Sequence, residues 1–299
     1  MGGMKKPLRI TLLAGATLLL AAGATAAGLL INSHRLFNRV VVVTAAPVPY
    51  ASIRNPESLA RGEYLYKSRD CAACHGDDGA GRLHIDDPIG LKVRSANLTR
   101  GAGSAVAGYG EADWVRAIRH GVGPGGRPLF VMPSENYNRL TDGDLADLVA
   151  YLRSLPPRDS QPAQFTLPLL VRLVHGAGQI PDAAAKIDHT LPPQAAAATG
   201  DAVAQGRYVV QSCIGCHGAQ LQGGPIPGAP PSWPAAANLS GDAAGVMQRY
   251  TTEAAFKKLL REGRRPDGSA VDRKMPTNPH LSEQDLDALF AYLRSLRQP

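Results

Sequence analysis

Aromatic side chains are scarce in this chain: two Trp, nine Tyr and five Phe make up 5% of its 299 residues. The length suggests two domains of ordinary size, and so few rings are thin filling for two cores. A bound apolar group in each would supply the missing mass. Cysteine is nearly absent too. The four present, Cys71, Cys74, Cys213 and Cys216, stand in two close pairs, and a pair that closes so short a loop makes a poor staple. A disulfide-rich scaffold is therefore excluded. The first 49 positions hold no Asp or Glu against five Lys and Arg, and this segment supplies most of the net charge of +7. No basic stripe with interleaved aromatics follows it, which sets nucleic-acid binding aside.

Charge of either sign is missing from Ile10 to Ile31, 22 residues preceded by Lys5, Lys6 and Arg9. As a helix this run spans about 33 Å, enough to cross a bilayer. Small residues from Ala24 to Ala27 resemble a processing site, so a cleaved signal peptide is the alternative. Leu29, Leu30 and Ile31 extend the run past that site, and residues 1–35 are read as a retained anchor. In either case the basic end stays inside and the rest is exported. For a bacterial chain this means the inner membrane, with the remainder in the periplasm.

What the chain does contain is one motif twice. "CAACH" places Cys71, Cys74 and His75 together, and "CIGCH" repeats the arrangement with Cys213, Cys216 and His217. Cysteines three apart share one face of a helical turn, and the histidine projects from its edge. This is the attachment pattern of a c-type haem: two thioether bonds to the macrocycle, and an imidazole as the first axial ligand to iron. A zinc half-site or a redox dithiol also uses CxxC, but neither requires the adjacent histidine.

The motif is part of a longer repeat. At an offset of about 142 residues, "ANLT" (96–99) meets "ANLS" (237–240), Tyr109 meets Tyr250, and "AYLRSL" (150–155) meets "AYLRSL" (291–296). Residues 50–157 and 200–299 are thus read as two copies of one all-α domain, joined by a Pro/Ala-rich linker at 158–199. Each copy opens with a short helix containing Gly62 or Gly206, placed to allow a close helix approach. Each closes with a helix capped by Thr141 with Asp144, or Ser282 with Asp285. Leucines and their neighbours recur at helical spacing from Leu145 to Leu155 and from Leu286 to Leu296. The linker's apolar stretch, Phe165 to Val174, is expected as a short helix on the first domain, followed by a flexible tether.

A second axial ligand comes from a short list. Met132 and Met275 each begin a Met-Pro pair, 57 and 58 residues after His75 and His217. Proline holds the preceding residue extended, and a thioether is a soft neutral ligand suited to reduced iron. Met247 reads as core filling. Lys274, next to Met275, is a rival ligand at high pH. His120 and Arg127 lie near enough in sequence to reach a haem propionate, but His120 has no counterpart in the second copy and reads as a structural or solvated residue.

These residues resemble class I c-type cytochromes in both halves. "RGEYL", "CAACHG", "DWVRAIRHGVGPGGRPLFVMP" and "LVAYLRSLPP" are similar to segments of the multihaem cytochrome c subunits of bacterial membrane-bound alcohol and gluconate dehydrogenases. The resemblance covers residues 54–299 and implies two covalent haem c groups, attached at Cys71, Cys74 and His75 and at Cys213, Cys216 and His217, with Met132 and Met275 as axial ligands. Those subunits usually carry three haem motifs; this chain has two. The implied fold is two tandem class I cytochrome c domains behind an N-terminal transmembrane helix. The implied role is electron transfer rather than catalysis: single electrons pass from a dehydrogenase or quinol-oxidising complex to a soluble cytochrome or an oxidase. A dihaem peroxidase, which needs one labile sixth ligand, is the alternative, and Met-Pro in both copies weighs against it. A basic cluster, Lys257, Lys258, Arg261, Arg264, Arg265, Arg273 and Lys274, suggests a collar for an acidic partner.

Overall fold

The computed structural model describes residues 6–50 and 55–296; Met1, Met4 and Lys5 lie outside them. Helix α1 (Lys6–Phe37) is 32 residues long. By length and composition it could cross a membrane, and its most apolar stretch is not buried against the protein.

The first core is built by α2 (Pro56–Ser68), the short α3 (Cys71–His75), α4 (Glu111–His120) and α5 (Asp142–Ser154). Leu65, Tyr66, Trp114, Leu145, Leu148, Val149 and Leu152 are buried there, each 3% exposed or less. After the linker helix α6 (Leu169–Gly176), the arrangement recurs with α7 (Ala202–Val209), α8 (Ile214–His217), α9 (Glu253–Glu262) and α10 (Glu283–Ser295). Val209, Val210, Met247, Phe256, Leu286, Leu289 and Leu293 fill this second core. Met247 is wholly internal, as a core-filling methionine should be. Full burial of each large apolar side chain contributes about 1.5–3 kcal/mol.

Gly62 and Gly206 set how closely the opening and closing helices pack. A Cβ on Gly62 would lie 2.2 Å from the Asp147 carbonyl oxygen, and one on Gly206 would lie 2.0 Å from that of Ala288. Both contacts are far inside van der Waals distance, so only glycine allows these backbones to meet.

Two features differ from the expected all-α fold and free linker. A small antiparallel sheet runs in the order β1 (Leu83–Asp86), β2 (Lys92–Arg94), β3 (Gln164–Thr166), with β3 supplied by the linker. Strands of three or four residues are too short for a period-two pattern to stand out. Helix α6 packs on α1 rather than on the first core. Beyond it the linker still follows the first domain: the Ala183 N–H donates to the Leu129 carbonyl at 2.7 Å, and the Gln194 N–H to that of Arg139 at 3.1 Å.

The two halves meet through paired contacts that run both ways. Tyr64 Oη donates to Asp285 Oδ2 at 2.6 Å, and Tyr208 Oη donates to Asp144 Oδ2 at 2.6 Å. Each acid is the third helical residue behind its cap: Asp144 N–H donates to Thr141 Oγ1 at 3.0 Å, and Asp285 N–H to Ser282 Oγ at 3.1 Å. In both helices the carboxylate that would close a capping box is instead committed to the other half. Within its own half, Asp144 also takes a two-pronged bond from Arg61 (2.9 and 2.7 Å), while Gln205 serves Asp285 at 2.7 Å. Arg69 is buried in this contact, 3.5 Å from Asp285 and stacked near the Tyr208 ring.

Candidate haem sites

Both motifs are positioned in the same way from the backbone up. Helix α2 ends at Ser68, and Asp70 turns the chain in the left-handed region (φ 59°), which Asp tolerates better than most residues. Helix α3 follows at once, carrying Cys71, Cys74 and His75. In the second half Cys213 is the last residue of a 3-10 turn leading into α8, without the two extra residues Arg69 and Asp70.

Each histidine is oriented by a backbone carbonyl. His75 Nδ1 lies 2.8 Å from the Ala96 oxygen, and His217 Nδ1 lies 2.7 Å from the Ala237 oxygen. A carbonyl only accepts, so Nδ1 carries the proton and the Nε2 lone pair is left for a metal. Burial holds both imidazoles below the ordinary histidine range, which keeps them neutral at pH 7. These two alanines open the repeated "ANLT" and "ANLS" segments, so the repeat marked residues whose task the sequence did not disclose. The same segments are fastened by matching bonds: Leu98 N–H to the Gly79 oxygen and Leu239 N–H to the Leu221 oxygen, both 2.7 Å.

The four thiols are unbridged. Burial pushes Cys71 up to about 12 and Cys213 up to about 11, so both are neutral thiols rather than thiolates. Among the described residues no three His, Cys, Asp or Glu side chains are grouped to hold a metal ion, whereas a structural zinc site needs four such donors. Two cysteines beside an imidazole whose Nε2 is left for a metal suit thioether attachment and iron ligation instead.

Met132 and Met275 are half-buried. Met132 borders the same apolar cluster as Cys71, and Met275 the same cluster as Cys213. In each half the methionine of the Met-Pro pair and the first cysteine of the motif thus border one core. In the first cluster the buried Trp114 Nε1 has no acceptor; a donor left over in the core that these residues border suits a haem carboxylate. The residues present therefore fit a haem in each half. Lys274 is exposed, its ammonium 4.4 Å from the centre of the Trp233 ring. Arg127 is exposed. His120 is buried, with Nδ1 3.1 Å from Nδ1 of His189, a partner 69 residues away that no local pattern reveals.

The basic cluster is partly neutralised. Lys257 pairs with Glu283 at 2.9 Å and with Asp287, and Arg261 pairs with Glu283 at 2.6 Å. Any collar is therefore limited to Lys258, Arg264, Arg265, Arg273 and Lys274.

A family model described as cytochrome C oxidase, cbb3-type, subunit III matches residues 57–152, and one described as cytochrome c matches residues 203–297. The chain thus carries two cytochrome c domains, one in each half, and the pair fits two covalently bound haem c groups. It is similar to cytochrome subunits of dehydrogenases. It is 32% identical over 279 residues to the gluconate 2-dehydrogenase cytochrome c subunit of Pantoea cypripedii, covering 81% of this chain and 60% of that one. With the fructose dehydrogenase cytochrome subunit of Gluconobacter japonicus it shares 31% identity over 284 residues, 84% of this chain and 54% of that one. It thus spans little more than half the length of these relatives. A diheme cytochrome c-type protein of Cereibacter sphaeroides is 26% identical over 322 residues, covering 96% of this chain and 98% of that one.

Proposed function

We propose that the protein is a membrane-anchored dihaem cytochrome c. It relays single electrons in the periplasm from a dehydrogenase or quinol-oxidising complex to a downstream cytochrome or oxidase. The observation that carries this reading is the duplicated ligand set. His75 and His217 present Nε2 in the same tautomer, and Met132 and Met275 border the same cores as the motif cysteines.

Cys71, Cys74, Cys213 and Cys216 would hold the two macrocycles by thioether bonds, with His75 and Met132 on one iron and His217 and Met275 on the other. The bound group supplies reversible one-electron chemistry at iron. The polypeptide's part is to orient the imidazoles through Ala96 and Ala237, to exclude water with apolar walls, and to keep the domains in register through the Tyr64–Asp285 and Tyr208–Asp144 bonds. A dehydrogenase donor is favoured by the names of the relatives, and a bilayer by the 32-residue helix α1.

Carbon monoxide titration of the dithionite-reduced protein tests the assignment. The unaltered protein is expected to bind little, whereas Met132→Ala and Met275→Ala should each open about half of the haem to the gas. Ready binding to both centres without substitution, or a high-spin band with peroxide turnover, would replace the relay with a dihaem peroxidase. A colourless band after haem staining of a denaturing gel would remove covalent attachment altogether.

A further inference from the structure

Helix α6 exposes an apolar face. Leu169 is 60% exposed, Leu170 74% and Val174 47%. The other side of the helix is fastened to the outward end of α1. A Cβ on Gly176 would lie 2.0 Å from the Leu29 carbonyl oxygen, so the two backbones touch. Asn32 Nδ2 donates to the Gly176 oxygen at 2.7 Å, and Ser33 Oγ lies 2.9 Å from His175 Nδ1.

The direction of α6 matters. Just before its start, Phe165 and Leu167 line a cavity of about 220 Å³ together with Phe37 and Asn38, whereas Gly176 at its far end lies on Leu29. Helix α6 therefore runs antiparallel to α1, from the level of Phe37 back to that of Leu29. Its eight residues rise about 12 Å. Its far end passes Ile31, the last residue of the uncharged run, and comes alongside apolar helix surface.

We propose that α6, standing beside the outward end of α1, is a membrane-contacting helix whose Leu169, Leu170 and Val174 face is covered by the headgroup region of the periplasmic leaflet of the bilayer. This rests on the reading of α1 as a membrane anchor. Lipid is the occupant because α6 is packed on the outward end of α1, a helix whose own apolar side chains are exposed, among them Ile31 at 55% and Leu20 at 74%. Arg172 lines the cavity with Phe37 and Asn38, where the cation at the end of its long side chain meets headgroups. An amphipathic segment in this position is drawn in by the same apolar transfer that holds the anchor.

The consequence is orientation. A lone spanning helix leaves a domain free to tilt, but two apolar contacts with the bilayer fix its attitude. The coupling to the first domain is direct: the Phe37 ring stacks on Phe130 at 4.8 Å, Phe130 on Phe165 at 5.1 Å, and Arg39 clamps Asp182 at 2.7–3.0 Å.

The test uses the full-length, haem-loaded protein in phospholipid nanodiscs. Leu170, Leu19 or Val203 is replaced singly by p-benzoylphenylalanine, illuminated, and assayed for adducts by intact mass. Lipid adducts are expected at 19 and 170, with the yield at 170 about tenfold above that at 203, an exposed site on the second domain. Adducts at 19 but not at 170 overturn the proposal and leave the anchor standing. A cross-linked dimer through 170 overturns it in favour of a second copy. Absence at both 19 and 170 removes the anchor reading and the proposal with it.

Discussion

His120 and His189 meet through their Nδ1 atoms, and the geometry assigns the protons. His189 Nε2 lies 3.1 Å from the Ala184 carbonyl oxygen and must donate there. Its Nδ1 then accepts, and His120 Nδ1 donates. Burial, followed by the neighbouring His189 and Arg119, lowers His120 to about 4. The folded protein thus refuses a proton that the unfolded chain takes up near pH 6.5. Stability from this site is full above about pH 6.5 and is lost as the pH falls toward 4. Urea unfolding followed from pH 7 to 4.5 is expected to show a falling midpoint, with a shallower slope in His120→Asn; an unchanged slope would place the acid sensitivity elsewhere. Single residues were picked out as candidates where a fixed spacing marks them, as in Cys71-Cys74-His75 and in Met-Pro. They were not where the partner is distant. His120 with His189, and Ala96 under His75, depend on folding to become neighbours.

The helices that open and close each half touch at glycine. Gly62→Ala would drive a methyl group into the Asp147 carbonyl, an overpacking expected to cost about 1–3 kcal/mol. Gly206→Ala should do the same in the second half, against Ala288. Chemical denaturation followed separately by the two haem bands should show each substitution lowering chiefly its own domain. A null result at both would mean that the helix pairs are looser than the distances imply. The closing helices could be read in advance, because caps at Thr141 and Ser282 and leucines at helical spacing carry the signal within one segment. Leu145, Leu148, Leu286, Leu289 and Leu293 all lie inside as that spacing requires. The sheet could not be read, since Lys92–Arg94 offers three residues and pairs with Gln164–Thr166 some seventy positions on.

The contact between halves uses four side chains: Asp144 and Asp285, which the sequence marks as part of helix caps, and Tyr64 and Tyr208, which no sequence pattern singles out. Burial and the Asp144 carboxylate push the Tyr208 hydroxyl above its usual range, so it remains a donor. Removing both hydroxyls in Tyr64→Phe/Tyr208→Phe deletes the inter-half donor to each acid, leaving Asp144 with Arg61 and Asp285 with Gln205, and should weaken docking by about 1.5–3 kcal/mol for each charged hydrogen bond lost. Intramolecular electron transfer measured by flash photolysis should slow and spread into several phases, while the haem spectra stay unchanged. One unaltered phase would show that the halves are held by other means. Because the tyrosines and aspartates are exchanged in kind, each half presents the other with the patch it receives. Such self-complementary faces belong to homodimers with a twofold axis. The segment 158–199 in effect turns a bimolecular encounter into a unimolecular one, so the two faces stay together even though Arg61 supports one acid and Gln205 the other.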